Sequence, residues 1–189
     1  MRVIGTVGLP GSGKGEASSV AEELDIPVVT MGDVIRAECR DRGLDPAEHH
    51  GEIAGALREE NGPDAIAQRS LPIIEEALEG SDTVLVDGIR AGVEVERFVE
   101  AFGDEFTLVS IDAPFEVRAE RVQSRGRDAD AETLRERDER ERGFGMDEAI
   151  ARADATIDNT DSLEEFHAKI RALLTEGIDG LERERAQEA

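Results

Sequence analysis

The sequence predicts an α/β fold in which a five-stranded parallel sheet lies between helices. Three observations predict it. Short apolar runs recur at residues 2–7, 26–30, 83–86, 106–111 and 155–158. Stretches with helical spacing separate them, so consecutive strands are joined by crossovers and run parallel. Glycines and acids cluster where the strands end, at Gly8, Asp87-Gly88 and Asp112. The carboxyl ends of the strands are where such sheets take ligands.

The elements follow in order. Arg2 to Val7 is apolar and halted by Gly8, which marks a buried first strand. Ala17, Val20, Ala21 and Leu24 then recur at helical spacing. After the second strand, residues 31–80 read as a charged helical insertion with breaks at Gly43-Leu44-Asp45-Pro46 and Asn61-Gly62-Pro63, and Pro72 is expected to kink or end its helix. A helix through residues 93–102 separates the third and fourth strands. Another begins near Pro114 and leads into a densely charged stretch, 118–142. Leu163, Phe166, Ile170, Leu173 and Leu174 mark a last amphipathic helix, capped by Asp161 or Ser162. One domain over residues 1–180 and a fraying charged tail over 181–189 complete the expectation. No repeat or low-complexity linker interrupts it.

Composition narrows the class. The 189 residues are 39% hydrophobic, contain no Trp or Tyr, and carry 45 acids against 22 bases for a net charge of -23. Only two bases are Lys, at 14 and 169. Such a surface suits a halophilic, high-salt cytoplasm, where strong salt shortens the Debye length to ~3 Å and screens self-repulsion. The same acidity opposes nucleic-acid binding, which depends on Lys and Arg displacing counterions. No apolar run nears the ~20 residues of a membrane span, and the N-terminus leads straight into a Gly-rich loop rather than a signal peptide, so a cytoplasmic location is expected. The single Cys39 has no disulfide partner. His49, His50 and His167 do not form a metal set with it and read as surface or packing residues.

Gly8-Leu9-Pro10-Gly11-Ser12-Gly13-Lys14-Gly15 joins the first strand to the first helix and matches G-x-x-x-x-G-K, the P-loop. Its glycines let the backbone curl so that successive N–H groups face a phosphate, and the helix adds its positive end. Lys14 is expected to bridge the β- and γ-phosphates of a nucleoside triphosphate, most simply ATP. The Ser or Thr that commonly follows the Lys is Gly15 here, followed by Glu16. Magnesium would then be held through water, by acids such as Asp87, Asp33 or Asp112. Glu16 points away along the helix, pairs with an Arg, or helps hold that metal.

The loop resembles that of the nucleoside monophosphate kinases, which include adenylate kinase and read G-x-P-G-x-G-K-G-T, with Glu16 in the place of the Thr. Met31-Gly32-Asp33-Val34-Ile35-Arg36 is similar to that family's T-G-D-x-L-R. Pro63-Asp64-Ala65-Ile66 is similar to P-D-E-I, and Asp87-Gly88-Ile89-Arg90 to D-G-F-P-R less one residue. Residues 120–127 and 132–137 resemble the entry and exit of its arginine-bearing lid, here very short. Ala153-Asp154-Ala155-Thr156-Ile157-Asp158-Asn159 instead resembles the end of dephospho-coenzyme A kinase. The whole is similar to an archaeal group of P-loop kinase-like proteins related to both.

The resemblance implies ATP and Mg2+ as cofactors, a small phosphorylated acceptor bound by the 31–80 insertion, and phosphoryl transfer. Lys14, Arg36, Arg90, Arg121 and Arg125 are its expected catalytic residues, with Gly8 to Glu16 holding the triphosphate. Arg36 and Arg90 would clamp the acceptor phosphate. Arg121 would lie near the donor base, and Arg121, Arg125, Arg127, Arg135 and Arg137 over the transferred group. Planar guanidinium groups suit that work, because the reaction needs alignment and charge neutralisation. Asp33 and Asp87 would serve the metal or orient arginines. Ordinary surface ion pairing is the competing reading for the lid arginines. Glu94 replaces the Gln with which the family reads an acceptor adenine, and Met31 replaces a hydroxyl. These departures leave two alternatives open: hydroxyl phosphorylation of a dephospho-coenzyme A type, with Asp33 as base, and a regulatory NTPase without a small acceptor.

Overall fold

The computed structural model describes residues 1–124 and 131–188. Its elements are β1 (Arg2–Val7), α1 (Lys14–Glu23), β2 (Val28–Thr30), α2 (Met31–Asp41), α3 (Pro46–Asn61), α4 (Ala65–Gly80), β3 (Thr83–Asp87), α5 (Gly92–Phe102), β4 (Phe106–Asp112), α6 (Phe115–Ser124), α7 (Ala131–Gly143), α8 (Met146–Ala151), β5 (Ala155–Asp158), α9 (Leu163–Glu176) and α10 (Ile178–Glu188).

The five strands form one parallel sheet in the order β2-β3-β1-β4-β5. Alternation along the strands separates two cores. Val3, Val7, Val84, Val86 and Leu108 bury against α2, α3, α4, α5 and α8. Ile4, Leu85, Val109, Ile111 and Ile157 bury against α1, α9 and α10. The chain leaves β1 toward α1 on one face and β3 toward α5 on the other. The crevice between the ends of β1 and β3 is therefore the switch point of the sheet. The phosphate loop and Asp87 stand on its two sides.

Local chemistry sets the boundaries. Asp45 caps α3 by accepting from the Ala47 N–H at 2.9 Å, with Pro46 in the first turn. Ser162 and Glu165 form a capping box at α9. Of the two outcomes expected at Pro72, the helix does not end there: α4 runs through it. The neighbour four residues back, Gln68, is exposed, so water can take up the carbonyl that the missing N–H leaves free. The stretch 181–188 belongs to α10 rather than to a tail, because Leu181 is fully buried in the second core and Gly180 lets the helix approach the Ala172 carbonyl.

Candidate phosphate-transfer site

The loop after β1 curls as its glycines predict. Leu9 accepts from the Ser12 N–H at 3.1 Å, closing a turn with Pro10 and Gly11 at its corners. Gly11 has φ +81°, the value the third position of a type II turn requires. Gly13, at φ +122°, is the N-cap of α1, and a Cβ there would lie 2.3 Å from Asn159 Nδ2. Among the described residues, no protein acceptor takes the amides of Gly11, Gly13, Lys14 or Gly15. Lys14 folds back across them and donates through Nζ to the Gly8 and Leu9 carbonyls. Burial pushes its pKa below the ordinary lysine value, against the raising pull of Asp87 and Glu141. Glu16 turns from the loop mouth toward α9, where Oε2 lies 3.6 Å from His167 Nε2.

Asp87 ends β3 beside this lysine and accepts from the Thr6 hydroxyl at 3.4 Å. It also forms part of the wall of a cavity of about 800 Å3 between the sheet and the 31–80 insertion. Among the described residues, four arginines line that cavity: the expected Arg36 and Arg90, and two that sequence reading missed, Arg58 and Arg140. Glu141 pairs with Arg90 at 2.9 Å. Glu94, buried to 1% exposure, takes the Arg90 backbone N–H at 2.9 Å and faces Arg58 at 3.5 Å. Arg58 in turn stacks 5.6 Å over the Phe144 ring, a cation–π contact on an exposed aromatic. His50, half-buried, also lines the cavity; burial and then Arg36 and Arg90 lower its pKa.

Other expected residues lie elsewhere. Asp33 is 66% exposed, bonds Arg36 and does not line the cavity, so it stands where it orients an arginine rather than where it could reach a metal or act as base. Asp112 is exposed at the last position of β4. Arg121 does not cover the loop mouth. It lies behind the loop, donating to Asn159 O at 2.7 Å and Ser12 O at 3.5 Å, because α6 packs against the outer side of the turn. Arg125 and Arg127 lie outside the described residues. On α7 the inward face is acidic where arginines were expected: Leu134, Asp138 and Glu141 are buried, while Arg135 is exposed and stacks on Phe115. Arg137 is half-buried and has a partner. Asp138 grips Arg118 in a two-pronged pair at 2.8 and 2.7 Å, and both side chains are 5% exposed.

A parallel sheet whose first strand runs into a nest of unpaired amides with an embedded lysine is a P-loop nucleotide-binding domain. The chain belongs to the AAA domain family, whose sequence profile matches residues 7–138, and to the UPF0200 proteins. A UPF0200 protein of the halophilic archaeon Halobacterium salinarum is 64% identical over 92% of this chain and 93% of its own length. One from Methanoculleus marisnigri is 51% identical over 92% of this chain and 96% of its own. The crystal structure of TT1252 from Thermus thermophilus shares the fold at a TM-score of 0.64 and 22% identity, covering 93% of this chain and 97% of that one. Among the described residues, no helix is long and apolar enough to cross a membrane.

Proposed function

We propose that the protein is a kinase that transfers the γ-phosphoryl group of ATP to a nucleoside monophosphate or a similar small phosphorylated acceptor. The observation that carries this reading is the arginine-lined cavity that opens beside the loop lysine, with Asp87 common to both. A switch that only binds and hydrolyses a triphosphate has no need of such a chamber. A cavity of about 800 Å3 lies within the range of small-molecule sites.

The residues divide the work. The amides of Gly11, Gly13, Lys14 and Gly15 and the Lys14 ammonium neutralise the triphosphate oxygens. Arg36 and Arg90 hold the acceptor phosphate from the opposite side. An acceptor oxygen bonds to the γ-phosphorus as the bond to the bridging oxygen breaks, and ADP leaves. Gly15 offers no hydroxyl to a metal, but Asp87 and Thr6 at the loop mouth fit a magnesium ion held through water, which would spread the charge of the phosphates. A phosphate acceptor is already ionised and needs no base. A hydroxyl acceptor would need one, and Asp87, not the outward-facing Asp33, is the carboxylate placed to take its proton.

The test is a panel of nucleoside monophosphates and dephospho-coenzyme A with labelled ATP and Mg2+ in concentrated KCl. Transfer of the label to one acceptor supports the kinase and names its substrate. ADP release that no acceptor accelerates would overturn it.

A further inference from the structure

We propose that Arg118, Arg121 and Asn159 are positioning residues that aim the loop's amides at phosphate from behind. The inference rests on reading the loop as a triphosphate site and adds how that site is held open. In a trans peptide the carbonyl of one residue and the N–H of the next point in opposite directions. A group that ties a loop carbonyl outward therefore turns the following N–H inward.

Two loop carbonyls are tied in this way. Arg118 Nη1 donates to the Pro10 carbonyl at 2.9 Å, which aims the Gly11 amide inward. Asn159 Nδ2 donates to the Ser12 carbonyl at 2.7 Å, which aims the Gly13 amide inward. The alternative is close at hand. A half-turn of the Pro10–Gly11 peptide converts a type II turn to type I, and glycine offers little resistance. That flip would put the Pro10 oxygen where a phosphate oxygen must lie. The tie to Arg118 opposes it.

The three side chains have no freedom to act as ligands instead. Arg118 gives Nε to the Ala113 carbonyl at 3.1 Å and the rest of its fork to Asp138 and Pro10. Arg121 Nη2 is held by Asn159 O at 2.7 Å and Oδ1 at 3.3 Å. This second contact fixes the Asn159 amide, since turning it over would face its NH2 to a guanidinium and its oxygen to the Ser12 carbonyl. Arg118 and Arg121, three residues apart, thus lie on the same side of α6 against the loop.

The test follows the Gly11 and Gly13 amide resonances of the labelled full chain on addition of inorganic tripolyphosphate, together with its affinity. In the parent both resonances should move. Asn159→Leu should lose the Gly13 response, keep the Gly11 response, and bind tripolyphosphate about tenfold more weakly, the worth of one hydrogen bond. The paired change Arg118→Met with Asp138→Leu, which leaves no buried charge behind, should lose the Gly11 response selectively. A merely structural role would disturb both amides together. Normal responses at both glycines in either variant would overturn the proposal. So would an Arg121→Gln variant that lost ATP affinity but kept tripolyphosphate affinity, the mark of a base contact. A parent whose glycine amides ignored tripolyphosphate would instead overturn the triphosphate reading itself.

Discussion

Replacing Asp138 with Ala will destabilise the protein by about 3–5 kcal/mol, the usual consequence of breaking a buried ion pair from one side. The geometry sets this figure. Asp138 and Arg118 are each 5% exposed, and the carboxylate accepts from both ends of the guanidinium at 2.8 and 2.7 Å. Its removal leaves a buried cation facing the Ala113 and Pro10 carbonyls and the Phe115 ring, with no counter-charge in the pair's place. Two lost charge-assisted hydrogen bonds, at about 1.5–3 kcal/mol each, give a similar range. For a chain of 189 residues the melting temperature should fall by about 6–20 °C. The assay is urea unfolding at fixed KCl, repeated across KCl concentrations. Because the pair is out of reach of mobile ions, added salt should not restore the loss. Removing both charges, by Arg118→Met with Asp138→Leu, should be close to neutral. A single variant within about 1 kcal/mol of the parent, or no worse than the double, would refute the reasoning.

Three further outcomes are expected. Lys14→Ala should weaken ATP binding at least about 100-fold by calorimetry, with an unchanged or higher melting temperature, because among the described residues the ammonium hydrogen-bonds only to loop carbonyls and its burial outweighs the pull of Asp87 and Glu141. Glu94→Gln should grow more stable relative to the parent as pH is raised from about 4 to about 8 in paired urea melts. Burial raises the Glu94 pKa, so its contribution is present below the unfolded value of 4.5 and is lost as pH passes the folded one, while Gln can still accept the Arg90 N–H. The melting temperature of the parent should rise steeply with KCl, because a net charge of -23 repels itself until screened; a flat profile would contradict the halophilic reading.

The parts of the molecule written in local patterns could be read from the sequence. Four of the five strands start and end within a residue of the apolar runs, and β2 starts two residues late because Ile26 packs in the second core ahead of it. The phosphate loop was legible because its glycine spacing is itself the geometry. Contacts between distant elements were not. Arg118 and Asp138 are twenty residues apart on different helices, and an acid sharing a helix face with Leu134 and Glu141 reads as solvent-facing. Arg58, Arg140 and Phe144 belong to the cavity only because α3 and α7 converge above the sheet. His50 has no metal-ligand spacing around it, and nothing local in the sequence signals its place in the cavity wall. For α10 a signal existed, since the small-then-apolar pair Gly180-Leu181 precedes the charged run and is what docks it.

The order β2-β3-β1-β4-β5 also governs the birth of the protein. Of the five strands of this sheet, the middle one, β1, leaves the ribosome first. Its partners on either side begin at Thr83 and Phe106. At translation speeds of about 5–20 residues per second, roughly 100 residues must follow, so Arg2–Val7 waits about 5–20 s for its second neighbour. Until β3 is made it is an apolar ribbon with both edges bare, and one edge stays bare until β4 follows. Early shelter by a chaperone, or quick burial of Ile4 under α1, is the demand this topology makes on the cell.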